Sequence, residues 1–139
     1  MKEKELNQIL ADEIAKAKRP DAFASLHTDG ENVWISLHQH VRSGPSKGMP
    51  YVYRTISNWF TRSLDSQIDN LWPLILVSGI DIHIGCCCRQ PVVSLMHGSS
   101  IMAFYHGSSI SYAAAKCCAH FLLYQIGNIG LIQDLNEEE

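Results

Sequence analysis

The sequence predicts an α+β fold: an antiparallel sheet with an N-terminal helix, a central amphipathic helix and a buried C-terminal helix. Three observations carry this expectation. Apolar residues recur at 3.6-residue spacing over residues 2–19 and again over 53–72. Apolar and polar residues alternate on the far side of the turn dipeptide Asp29-Gly30. Residues 109–126 are apolar nearly all round, a pattern that suits a helix covered on every side.

Each element has a local cause. In residues 2–19, Leu6, Ile9, Leu10, Ile14 and Ala17 form one stripe, and Asp12 and Lys16 make an i,i+4 pair on the wet face. Lys16, Lys18 and Arg19 suit the negative helix end, and Pro20 stops the run. Residues 22–28 and 33–42 form a hairpin around Asp29-Gly30. Val33, Ile35, Leu37 and Val41 point inward, while Trp34, Ser36, His38, His40 and Arg42 share the other face with Phe23, Ser25 and His27. Ser43 to Pro50 reads as a loop by composition.

In the second amphipathic helix, 53–72, Ile56, Trp59, Phe60, Leu64, Ile68, Leu71 and Trp72 make the stripe, and Pro73 ends it. Ile80 to Ile84, Val92 to Met96 and Ile101 to Tyr105 are strand candidates. In the closing helix Ser109 is the expected N-cap, and Gly127 with Asn128 the C-cap. Residues 1–133 then form one domain, and 134–139 an acidic, solvated tail. His-Gly-Ser-Ser-Ile occurs twice, at 97–101 and 106–110, which two similar turns flanking one strand would explain.

Charge narrows the function classes. Residues 1–72 hold eighteen of the twenty-five charges, and residues 73–133 hold only Asp81, Arg89 and Lys116. Such a stretch is a buried heart, a subunit interface or a membrane segment. The membrane reading fails on length, because no apolar run approaches the roughly 20 residues a span needs. A net charge of −3 argues against general nucleic-acid binding. With no visible signal peptide, the location expected is cytoplasmic. Five cysteines, three of them adjacent (Cys86, Cys87, Cys88), fit reduced thiols better than a disulfide framework.

Three residue groups could carry chemistry. The first is the outer hairpin face, with His27, His38 and His40 as acid–base candidates and Arg42, Trp34 and Ser36 as ligand contacts. An ordinary solvated sheet face explains the same pattern. The second pairs His83 and Cys86 with Cys117 and His120 as a zinc site, against the simpler account of buried free thiols. The third is Ser108 and Ser109 before the last helix, able to bind an anion or simply to cap. The order of helix, strands and a Ser/Ala-rich final helix (Ser111, Ala113, Ala114, Ala115, Ala119) faintly resembles a double-stranded-RNA-binding domain. That family's lysine cluster is represented here by Lys116 alone and a helix intervenes mid-chain, so the resemblance is not adopted.

The leading expectation is a small cytosolic protein that binds through a protein interface, as an oligomer, in the manner of a bacterial or phage accessory protein. An enzyme acting on a phosphoester or nucleotide through the His/Arg-lined hairpin face is the alternative. A zinc-stabilised module is the third reading, and no other cofactor is expected.

Overall fold

A computed structural model describes residues 1–136. It has the expected α+β class, with helix α1 (Glu3–Lys18) first and helix α4 (Ile110–Gln125) near the end. Two three-stranded antiparallel sheets replace the single sheet expected. The first joins β1 (Phe23–Asp29), β2 (Asn32–His40) and β3 (Pro50–Ile56), and the second joins β4 (Asp81–Cys87), β5 (Gln90–His97) and β6 (Ser100–His106). Both are simple meanders, as short connections dictate.

The first hairpin closes with the two-residue turn Gly30-Glu31, since Asp29 pairs with Asn32. Gly30 takes φ +62°, which suits the first position of a hairpin turn. Alternation then sets the faces as expected. Val33, Ile35 and Leu37 are buried, and Gln39 joins them inside, where its side-chain carbonyl accepts from the Tyr51 hydroxyl at 3.2 Å.

The central helix over 53–72 requires correction. Residues 50–56 instead form β3, paired with β2. A 3-10 turn follows at Phe60–Arg62, then two short helices, α2 (Leu64–Asn70) and α3 (Trp72–Leu76). Tyr51, Val52, Tyr53, Thr55 and Ile56 are aromatic or β-branched, and a neighbouring strand edge rewards them more than an isolated helix does. Ser63 caps α2 by accepting from the Ser66 amide at 3.2 Å. Pro73 sits in the first turn of α3, where its missing N–H costs nothing, rather than ending a helix. The stripe residues Ile56, Trp59, Phe60 and Leu71 are buried, whereas Ile68 is 44% exposed.

Helix α4 lies at the centre, with eleven of its sixteen residues buried. It packs on α1, on the 3-10 turn and on β5 and β6, so most of its apolar surface is covered within the chain, while Ile110 and Tyr124 stay exposed. Gly127 at φ +74° ends it, and the Asn128 amide reaches back to the Leu123 carbonyl at 2.9 Å, as the Gly-Asn pair leads one to expect. The chain then forms a further short helix, α5 (Ile129–Asp134), capped by the Asn128 side chain. Asp134 and Leu135 are not solvated tail as expected: Leu135 is fully buried, and the Met1 amine donates to the Asp134 carbonyl at 3.0 Å. Glu137 to Glu139 lie outside the described residues.

A polar clasp ties α1 to the 3-10 turn. Buried Asn7 donates to the Thr61 hydroxyl at 2.9 Å, that hydroxyl donates to the Glu3 carboxylate at 2.8 Å, and Arg62 closes on Glu3 at 2.9 Å. The Arg62 hydrogen bonds hold the Glu3 carboxyl below its ordinary 4.5, against a smaller opposing effect of burial. A depressed folded pKa contributes stability that is complete above the unfolded value and fades as pH falls through the folded one. Urea titrations below pH 4.5 should therefore show an acid-sensitive component that Arg62→Ala diminishes; equal pH slopes in both proteins would contradict this.

Candidate functional site

The outer face of the first sheet is assembled by register. Phe23 lies opposite His38, Ser25 opposite Ser36, and His27 opposite Trp34. Phe23 and His38 stack with centroids 4.6 Å apart and planes 3° apart, and His27 and Trp34 stack at 5.2 Å and 11°. The ring Nε2 atoms of His27 and His38 are buried and have no hydrogen-bond partner among the described residues. Burial, with a smaller contribution from the nearby His27, holds the His38 pKa below its ordinary value. His38 is thus a neutral imidazole at pH 7, suited to packing rather than to delivering a proton.

His40 lies at the edge of this ladder, its ring tilted against Phe23 with centroids 5.8 Å apart. His40 turns towards Asp21, its Nδ1 donating to the carboxylate at 3.2 Å; the direction follows because an ionised carboxylate only accepts. Arg42 lies just beyond the end of β2. Together with Arg19, His40, Val41, Ser43 and Tyr51 it lines an open cleft of about 380 Å³. The three histidines expected to act together therefore form two places: a packed pair, His27 and His38, and a polar cleft around His40. Trp34 and Ser36 belong to the first and Arg42 to the second. The sequence carried no signal for Arg19 or Asp21, because they arrive from the end of α1 and the link that follows it.

The zinc quartet does not assemble, and that reading is corrected. Residues three apart on a strand face opposite ways, so His83 and Cys86 of β4 diverge. Cys117 is buried and donates to the Val93 carbonyl at 3.1 Å, while His120 is held by the Tyr105 hydroxyl at 2.6 Å. Among the described residues no three or more His, Cys, Asp or Glu side chains gather as metal ligands. Burial pushes the Cys117 thiol up to about 12 and raises that of Cys118 as well, whereas Cys86, Cys87 and Cys88 are exposed at the β4–β5 turn. A thiol-specific disulfide reagent should modify three cysteines in the folded protein and five in denaturant. Rapid reaction of all five under native conditions would contradict the buried pair.

Ser109 accepts from the Tyr112 amide at 3.1 Å and so performs the capping role; Ser108 beside it is exposed. His120 contributes to a second cleft of about 440 Å³ with Ser78, Ile80, His97, Ser100, Met102 and Tyr124. Burial lowers the His120 pKa and raises that of Tyr105 to about 12, so this hydrogen-bonded pair is neutral at pH 7. Only the packing of α4 against β6 places Tyr105 beside His120, so spacing in the sequence could not have found it. No helix among the described residues is long and apolar enough to cross a membrane. No protein-family model, curated protein or solved structure significantly matches this chain.

Proposed function

We propose that this is a small binding protein working through a protein interface, with a second copy of the chain as its partner. One observation carries the reading. Ten of the fifteen large apolar side chains left exposed lie in residues 73–133, among them Val77, Ile84, Ile101 and Phe104. The three charges of that stretch reduce to two at the surface, since Lys116 is buried and only Asp81 and Arg89 are exposed. An apolar surface with so little charge favours association. Phe104 lies opposite Ser94, on the face of the second sheet turned away from buried Val93 and Leu95, and a self-complementary contact there places like against like with little charge to repel, while the charged first half stays in water. A reducing cytosol remains the setting in which five free thiols persist.

Phe104 of β6 is the residue to test. It is 57% exposed, and aspartate there adds charge to that sheet face without opening the core. Light scattering should give about twice 15.6 kDa for the native protein and 15.6 kDa for Phe104→Asp. A native protein that stays at 15.6 kDa across the micromolar range overturns the reading.

A second reading, action on a phosphoester, is favoured by the Asp21–His40 pair beside Arg19 and Arg42. His40→Ala should abolish any such turnover and His38→Ala should spare it, because His38 is packed away from that cleft.

A further inference from the structure

We infer that the cleft at the end of α1 is a binding site for the terminal phosphate of a small phosphomonoester. Arg19 leaves the end of α1 and Arg42 leaves the end of β2, so two separate elements bring arginines to the lining of one cleft. Neither side chain makes a hydrogen bond or ion pair among the described residues. Like charges lining one cleft repel unless an anion lies between them, and a dianion matches two cations. The planar, multi-donor geometry of arginine suits phosphate oxygens particularly well. The Asp21 carboxylate is already engaged by the lining residue His40. Its hydrogen bond to Nδ1 fixes the imidazole and leaves Nε2 as the atom for the ligand.

The organic part of the ligand has a place as well. Tyr51 is 43% exposed, and its hydroxyl already donates to Gln39, so its ring rather than its hydroxyl is what it offers the cleft. A volume of about 380 Å³ lies in the range of small-molecule sites, roughly 300–1,000 Å³. The ligand class is therefore a phosphate carried on a flat or aromatic group.

The inference shares its ligand class with the phosphoester reading but requires no turnover. Binding without hydrolysis would sink the enzyme and leave this site intact. It is also independent of self-association, so Phe104→Asp should bind as the native protein does.

Calorimetric titration with inorganic phosphate and with phenyl phosphate tests it. Phenyl phosphate is expected to bind the more tightly, and Tyr51→Leu should remove that preference. Arg19→Ala and Arg42→Ala should each weaken both probes at least tenfold. Arg54→Ala serves as the control, because Arg54 is cationic but donates to Asn70 away from the cleft. No binding by the native protein at millimolar probe, or equal weakening by all three arginine variants, overturns the inference.

Discussion

Gly107→Ala is expected to destabilise the protein by about 3 kcal/mol or more, the upper end of overpacking costs. A methyl group on Gly107 would sit 2.6 Å from the Ala113 amide nitrogen, 3.0 Å from the Ser109 carbonyl oxygen and 3.1 Å from the Ala113 Cα. All three are backbone atoms of the helix cap and first turn of α4, so no side chain can swing aside. Relief requires moving α4, which packs against β5 and β6 of the second sheet, α1 and the 3-10 turn. The twin pentad supplies an internal control. Gly98 has nothing within 4 Å of its added methyl but holds φ +63° in the β5–β6 turn. Gly98→Ala should therefore cost only the left-handed backbone penalty, about 1–2 kcal/mol. Urea denaturation of both variants decides the matter: a Gly107→Ala protein as stable as Gly98→Ala would show that the close approach is absent.

Gln67→Leu is expected to cost about 3–5 kcal/mol, although leucine nearly matches glutamine in size. Gln67 is fully buried. Its amide nitrogen donates to the carbonyls of Phe60 at 2.6 Å and Ser111 at 2.8 Å, and its oxygen accepts from the Trp72 indole at 3.2 Å. One side chain thus joins the 3-10 turn, α2, α3 and α4. Leucine would fill the space and remove all three hydrogen bonds: the Trp72 indole N–H loses its partner, and the Phe60 carbonyl keeps only the Ser63 amide at 3.4 Å, each loss costing about 1–3 kcal/mol where water cannot reach. The partial exposure of the Trp72 group tempers that sum. A melting-temperature drop on the order of 10 °C is expected. Gln67→Glu preserves shape but removes the donors, and should be at least as damaging because a buried carboxylate is left facing carbonyl oxygens. A Gln67→Leu protein with native stability would mean that the hydrogen bonds contribute nothing net.

These two positions also show where sequence reading stops. The pentad His-Gly-Ser-Ser-Ile is the same five letters at 97 and at 106, yet the first closes a hairpin and the second opens a helix. Local chemistry is identical, and the partner that arrives from elsewhere decides the outcome. Gln67 reads as an ordinary polar residue between Ser66 and Ile68. Its role depends on Phe60, Trp72 and Ser111 being brought around it, and no periodicity announces that.

The segment 53–72 failed for a related reason. Its apolar spacing fits a helix, but the first four residues gain more from pairing with β2, whose edge is visible only once the first hairpin exists. The outer hairpin face was legible because alternation in a strand is strict: Phe23, Ser25, His27, Trp34, Ser36 and His38 lie where parity puts them. Whether they act together was not legible. Parity gives a face and says nothing of rotamers, and the rings chose to stack while His40 turned to Asp21.

By itself, the sequence determined the α+β class, α1, the first hairpin and its two faces, the three strands of the second sheet and the buried closing helix with its caps. Those features rest on interactions within about a dozen residues of chain, on turn chemistry and on hydrophobic period. Only the tertiary structure decided that the strands form two sheets, that the middle helix gives way to a strand and short helices, that the zinc quartet stays apart, and that Arg19 and Arg42 line one cleft. Each of those depends on residues far apart in the chain becoming neighbours, and long-range packing energy outweighs the local preferences that a sequence displays.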